Sequence, residues 1–340
     1  MQILELNGVT LEGVYSCLPA EGEDNLSRCT RLYGDVAKAE SVVKATGIRR
    51  RRLAALGTTS LDLCIAAASA LMLDAGVGPE QIGGVVFVTF TPAMSMPCNA
   101  CQVQRRLGLG SDIVAFDVGL ACSGYAYGLY LAGTLAKATQ KKILLLDGDV
   151  QSAAIRPDDE ATVPVLADAG TCSLVSPDCL QRARCPLPQG WKFAFMSKGE
   201  GGEALRLPVG GTISMDGFAV YRFVAADVTA FLKEFIANTG AGPDAVEAFV
   251  PHQANVYMIR QLSKALKFPP EKLLISGDEV GNSASATVPV TISRCVHPST
   301  PDSQPIRLLI SGFGGGLSAS AGSVTLAPAA LLRCFDFVRE

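Results

Sequence analysis

Residues 113–149 read IVAFDVGLACSGYAYGLYLAGTLAKATQKKILLLDGD. The stretch divides into an apolar run (IVAFDV, 113–118), a turn of small residues, a helical segment reaching Ala138, and a second apolar run (ILLLDGD, 143–149). Apolar runs of this length bounded by Gly and Asp suit strands buried on both faces, and VVFVTF (85–90) upstream is of the same kind. A strand that returns through a helix to another strand predicts layered α/β architecture with mostly parallel strands. The turn sets Cys122 at the start of the helix. There the positive end of the helix dipole and unpaired backbone N–H groups favour a thiolate, which makes Cys122 a candidate nucleophile. The chain has ten other cysteines, and a small buried hydrophobe is the alternative reading for any one of them.

The second half repeats the pattern with VEAFVPH (246–252), KLLIS (272–276) and IRLLISG (306–312). Setting Val85 on Val246, Ile113 on Leu273 and Ile143 on Ile306 gives offsets of 161, 160 and 163 residues. Each half then closes on an Ala-Gly followed by an apolar run, AGTCSLV (169–175) and AGSVTLA (321–327). Helical segments at 60–76 and 226–240 start near Ser or Asp and end at Gly. The expectation is a duplicated α/β fold: an N-terminal half over 1–177 carrying the nucleophile, a C-terminal half over 193–340, and a surface excursion at 178–192. Two unrelated α/β domains are the alternative.

Composition supports a compact globular chain. Of 340 residues 49% are hydrophobic and 18% charged, which excludes a disordered or coiled-coil protein. With 29 basic and 32 acidic residues the net charge is −3, which argues against a nucleic-acid footprint over the whole surface. The start lacks the order of a signal peptide and no apolar run is long enough for a membrane span, so a cytoplasmic protein is expected. An odd number of scattered cysteines, 11, does not suit a disulfide framework. Cys98 and Cys101 form one CxxC, readable as half a zinc site, a redox pair or plain structure; no second CxxC or suitably spaced His accompanies it, and no metal site is expected.

Only two histidines are available as acid or base. His297 lies in a Pro-rich turn, whereas His252 follows a strand directly, where α/β sheets gather reactive groups. Asn282, in GNSASATVP (281–289), follows the strand that the duplication sets opposite Cys122. GFGGGLS (312–318) is too glycine-rich for a helix or strand interior, so it is fit to bring backbone N–H groups up to a reacting oxygen. Arg260, Lys264 and Lys267 are spaced to share one helix face, either solvated or available to an acidic partner. The basic run Arg49–Arg52 reads as a solvated turn with one or two structural arginines, and without interleaved aromatics it does not suit nucleic-acid binding.

ACSGYAYGL, PHQAN, GNSASATVP and GFGGG, in this order and spacing, resemble the thiolase superfamily and within it the β-ketoacyl-acyl-carrier-protein synthase III group. TGIRRRRLA (46–54) and the segment 91–108 fit as well, so the resemblance spans about 41–327. It implies the five-layered αβαβα thiolase-like fold, a homodimer, and a catalytic set of Cys122, His252 and Asn282. The N–H groups of Cys122 and Gly315 would form the oxyanion hole. Cys122 would take an acyl group from a thioester primer. His252 and Asn282 would then hold the thioester oxygen of malonyl carrier protein through N–H groups while carbon dioxide departs, and the carbanion would attack to give a 3-oxoacyl product for fatty-acid or specialised biosynthesis. The resemblance also implies substrate contacts at Met96, which the family inserts into the partner subunit's acyl pocket, at Phe313, and at Ala254 and Asn255 of PHQAN. Acyl carrier protein would dock on Arg260, Lys264 and Lys267, and no cofactor would be bound permanently. One departure concerns the donor: where many members grip coenzyme A with a Trp and two Arg, this chain has Ser41, Ala45 and Glu160. The rival reading on the same fold is an acyltransferase that passes the acyl group to an oxygen or nitrogen nucleophile without condensation.

Overall fold

The computed structural model describes residues 1–177, 190–297, 300 and 303–338. The first half opens on strands β1 (Leu4–Leu6) and β2 (Val9–Pro19). A ribbon of β3 (Gly22–Asp24) and β4 (Arg50–Arg52) follows, with helices α1 (Asn25–Tyr33) and α2 (Val36–Thr46) between its strands. The half then runs α3 (Ser60–Ala75), β5 (Ile82–Val88), α4 (Asn99–Arg106), β6 (Val114–Val118), α5 (Gly124–Thr139), β7 (Lys142–Val150) and β8 (Asp168–Pro177). The second half comprises β9 (Trp191–Ser197), the ribbon β10 (Leu205–Arg206) and β11 (Ser214–Met215), α6 (Gly217–Phe223), α7 (Thr229–Thr239) and β12 (Ala248–Pro251). It continues with α8 (Val256–Ala265), α9 (Gly277–Val280), α10 (Thr287–Cys295), β13 (Ile306–Gly314) and β14 (Ser318–Phe337).

The strand order is β2-β8-β7-β5-β6 in the first half and β9-β14-β13-β12 in the second. The senses match too: β7 and β13 pair parallel with β5 and β12, and antiparallel with β8 and β14. Alternation along the strands sorts most buried side chains into three large cores, beside a small fourth cluster of Leu18, Ala169, Val280, Ala286 and Val290. Leu145, Leu308 and Ile310 face a central layer that includes residues of α5 and α10 and joins both halves. Leu144 and Leu146 face α3 on one outside, and Leu309 faces α7 and α8 on the other. The result is helix, sheet, helix, sheet, helix, the five layers of the thiolase-like fold. The central helix must come close to its sheet: a β-carbon at Gly128 would stand 2.6 Å from Leu145 Cδ1, and at Gly124 2.5 Å from Val88 Cγ1. A helical glycine costs about 0.5–1 kcal/mol and overpacking typically about 1–3 kcal/mol, so glycine is the better residue at both places.

Three expectations are corrected. KLLIS is not a strand: Leu273 makes one bridge to Phe249, because Pro269 and Pro270 lead into a 3-10 turn and the Gln253 side chain takes the N–H groups of Ser276 and Gly277. The halves are not separate sheets, since β14 pairs with β13 and β9 along its first part and with β2 at Leu326 and again from Leu331 onward, and β1 crosses to pair with β9. The excursion expected at 178–192 ends earlier, because β9 starts at Trp191; its residues 178–189 lie outside the described residues.

Candidate active site

The turn that sends β6 into α5 holds Cys122 one residue before the helix N-cap, Ser123. The turn is tied to the glycine-rich strand end: Ser123 and Ser318 hydroxyls lie 2.8 Å apart, Ser318 Oγ donates to Gly315 O at 2.7 Å, and Ser320 Oγ donates to Ser123 O at 2.8 Å. Contrary to the expectation of a loop, Gly312, Phe313 and Gly314 are the last rungs of β13, opposite Ser320, Ala319 and Ser318. Small residues are needed there by proximity to Cys122. A β-carbon at Gly314 would stand 2.9 Å from Cys122 Sγ, and one at Gly312 would stand 2.6 Å from Cys122 O.

Cys122 is 8% exposed and lines a cavity of about 380 Å³ together with His252, Asn282, Phe313 and Gly314–Gly316. Phe90, Leu120, Leu205, Leu207, Met215 and Val220 give the cavity apolar walls. A second cavity of about 480 Å³ shares Phe90 and Leu207 with it as lining residues. The thiolate expected at the helix start is not the resting form. Burial pushes the thiol up to about 12 and the buried Asp149 adds to this, outweighing the N–H groups of Cys122 itself and of Gly315, which pull the other way. At neutral pH the thiol is therefore held in its protonated form. The two N–H groups lie beside the sulfur.

His252 extends the β12 pairing through its N–H to Ser311 O at 2.7 Å. Its Nδ1 lies 3.0 Å from Ala284 O and 2.7 Å from Thr287 Oγ1, which turns Nε2 the opposite way. The ring stands edge-on to Phe313 with centroids 5.3 Å apart. Burial lowers its pKa to about 3, so the imidazole is neutral through the physiological range. Asn282 Oδ1 accepts from Ala284 N–H at 3.0 Å, which commits the carbonyl end of the amide and leaves the NH₂ end for the cavity. Its backbone is held by Gln151 Nε2, Ala167 N–H and Val165 O. Ala284 thus orients both side chains, from a left-handed conformation with φ +52°.

Ala254 and Asn255 also line the cavity, and the Asn255 side chain is engaged as the N-cap of α8, accepting from Met258 N–H at 2.7 Å. Met96 does not reach this chain's cavity and is 86% exposed. Arg260 and Lys264 are exposed on α8, but Lys267 lies past the helix end at φ +62°, so the expected three-residue helix face is corrected to Arg260 and Lys264, with Tyr257 beside them. Cys98 and Cys101 sulfurs are 3.4 Å apart, and among the described residues no group of His, Cys, Asp and Glu could hold a metal ion. Ser41 and Ala45 lie exposed on α2. Glu160 pairs with Lys38 at 2.8 Å, Arg49 with Asp278 and Glu279 at 3.0 and 2.7 Å, and Arg156 approaches Asp158 at 3.8 Å. Arg51 is buried on Glu23, Asn25 and Leu166 O, so this part of the basic run is structural.

Residues that sequence reasoning did not single out are Ala284 and Thr287, which hold the histidine, and two buried acids at the end of β7. Asp149 accepts from the Thr89 and Thr91 hydroxyls and from the N–H groups of Phe90 and Thr91, yet burial still raises its pKa to about 7. Burial keeps Asp147 well above the usual carboxylate range; Ser285 Oγ lies 2.5 Å from it. Among the described residues, no helix is long and apolar enough to cross a membrane.

Two family models match the chain: 3-oxoacyl-[acyl-carrier-protein] synthase III over residues 116–186 and the C-terminal model of the same name over 236–326. The chain is 32% identical over 320 residues to β-ketoacyl-[acyl-carrier-protein] synthase III 2 of Streptomyces coelicolor, covering 93% of each chain. It is similar to the crystal structure of a 3-oxoacyl-(acyl-carrier protein) synthase from Burkholderia xenovorans, with TM-score 0.90, 27% identity and 99% coverage of each chain. It also resembles the priming β-ketosynthase of the R1128 polyketide biosynthetic pathway, with TM-score 0.82, 25% identity, and coverage of 97% of this chain and 99% of that one.

Proposed function

Since the chain belongs to the 3-oxoacyl-[acyl-carrier-protein] synthase III family of condensing acyltransferases, we propose that Cys122, His252 and Asn282 carry its two half-reactions. The observation that bears most weight is their convergence on one apolar cavity with the N–H groups of Cys122 and Gly315. The protonated thiol attacks the primer thioester as its proton leaves, and the developing oxyanion is met by those two N–H groups, so Cys122 becomes acylated while a new thiol departs. Malonyl carrier protein then enters. The Asn282 amide and the His252 ring stabilise the enolate that forms as carbon dioxide is lost, and the carbanion attacks the acyl-Cys122 carbonyl. The relatives described above are named as β-ketoacyl or 3-oxoacyl synthases and a β-ketosynthase, which disfavours transfer to an oxygen or nitrogen nucleophile.

The chain acts as a homodimer in which the exposed Met96 enters the acyl pocket of the partner subunit, and Arg260 and Lys264 with Tyr257 receive the carrier protein. The primer comes from a carrier protein in preference to coenzyme A. Ser41 and Ala45 offer neither a stacking plane nor a cation, Glu160 is acidic, and Arg49 and Arg156 face acids of this chain. A charged phosphate contact is worth about 1.5–3 kcal/mol, and about 1.4 kcal/mol is tenfold in binding, so losing one contact suffices for a tenfold preference. Self-acylation by the same acyl group on both carriers, followed by intact-protein mass spectrometry, tests this: the carrier-protein thioester should react at least about tenfold faster. A faster reaction with the coenzyme A thioester would overturn the donor assignment.

A further inference from the structure

His252 Nδ1, Thr287 Oγ1 and Ala284 O form a closed triangle, with Nδ1 at 2.7 Å from the hydroxyl and 3.0 Å from the carbonyl, and the hydroxyl 2.8 Å from the carbonyl. The carbonyl can only accept, the hydroxyl has one proton, and Nδ1 either holds a proton or presents a lone pair. Gln253 N–H donates to Thr287 Oγ1 at 3.2 Å, which fixes that oxygen while leaving its proton free to turn. Two arrangements fit the same heavy atoms. In one, Nδ1–H and the hydroxyl both point to Ala284 O, and Nε2 is bare. In the other, the hydroxyl donates to Nδ1, and Nε2 carries the ring proton.

The two half-reactions ask opposite things of Nε2. Acyl transfer needs an acceptor that takes the proton from Cys122 Sγ as the sulfur–carbon bond forms and returns it to the departing sulfur. Condensation needs an N–H donor toward the thioester oxygen of the malonyl group as its enolate charge develops. We propose that Thr287 is a positioning residue whose hydroxyl rotation lets the one histidine serve both needs, by accepting or donating at Nδ1. Between the half-reactions the neutral ring loses a proton at Nδ1 and gains one at Nε2 by exchange with water, with no net change. The inference rests on the condensing reading above.

The test uses the full chain labelled with ¹⁵N-histidine. His297 is exposed and is identified by His297→Ala, which leaves His252 as the single remaining histidine. In the parent and in Thr287→Ser, the nitrogen shifts should show the ring proton shared between Nδ1 and Nε2. In Thr287→Val they should show it on Nδ1 alone, and condensation should fall at least tenfold further than self-acylation, with Thr287→Ser restoring the ratio. A single Nδ1-protonated ring in the parent overturns the proposal even if Thr287→Val fails to fold. So do identical spectra for Thr287→Val and the parent, or equal condensation-to-acylation ratios for the valine and serine variants. The spectra are recorded without substrate, so a parent protein that releases no carbon dioxide from malonyl carrier protein would sink the condensing reading separately.

Discussion

The equivalent strands β7 and β13 end in opposite chemistry. Just before its last residue, Val150, β7 carries Asp147-Gly148-Asp149, two buried acids of which Asp149 accepts from the loop after β5 and Asp147 from Ser285. β13 finishes with Gly312-Phe313-Gly314, which brings backbone against Cys122. The helices that follow the corresponding turns differ in the same way: α5 begins just after a thiol, and α10 begins at the threonine that touches the histidine. One architecture has thus been used twice, and in the proposed mechanism the first copy supplies the nucleophile while the second supplies the donors and the space around it. Duplication fixed where reactive groups can stand, and local side chains decided what each place does.

Removing the nucleophile is the most severe way to break this comparison. Cys122→Ala should abolish acyl-enzyme formation in intact-protein mass spectrometry, while Cys98→Ala and Cys101→Ala leave it largely intact; undiminished acylation of the Cys122 variant would assign the nucleophile elsewhere. Gly314→Ala tests the glycine end of β13. The added β-carbon would stand 2.8 Å from Cys122 Cβ and 2.9 Å from its sulfur, an overlap worth about 1–3 kcal/mol. The self-acylation rate should fall about 10- to 100-fold, whereas Gly199→Ala, with nothing within 4 Å of the new atom, should acylate at the parent rate.

The acid end of β7 should give the smallest effect. Asp149 ionises as the pH rises through about 7 and then holds the thiol proton more tightly. Alkylation of Cys122 by iodoacetamide should therefore rise with pH without a plateau near neutrality. Asp149→Asn should accelerate it a few-fold at about pH 8 and leave it nearly unchanged at about pH 5, where Asp149 is already neutral. A plateau near neutrality in the parent would show a thiolate already formed.

Much of this arrangement is legible in the chain. The buried strands betray themselves as apolar runs, and Cys122 and His252, which line one cavity, stand out in the sequence because one sits at a strand-to-helix turn and the other at a strand end. What escapes depends on contacts between distant residues. Gly312 and Gly314 look unfit for a strand until the Cys122 backbone is placed beside them. KLLIS has the composition of a strand, but Gln253 caps its end from another segment. The helix-start rule favours a thiolate at Cys122, yet burial and Asp149 reverse it. Lys267 keeps the helical spacing although the helix has ended, and nothing in the 35-residue separation of His252 from Thr287 announces their 2.7 Å contact.

The division of labour between the halves is tested most directly by Asn282→Ala, followed in one sample by acyl-enzyme mass and by release of labelled carbon dioxide from malonyl carrier protein. Asn282 belongs to the second copy, and its amide end is free for the enolate oxygen while the thiol's own N–H contacts are untouched. Loss of one such donor costs about 10²–10³ in rate. The account predicts that carbon dioxide release falls by about that factor while Cys122 still acylates within a few-fold of the parent. Release at the parent rate, or an equal fall in both steps, would contradict it.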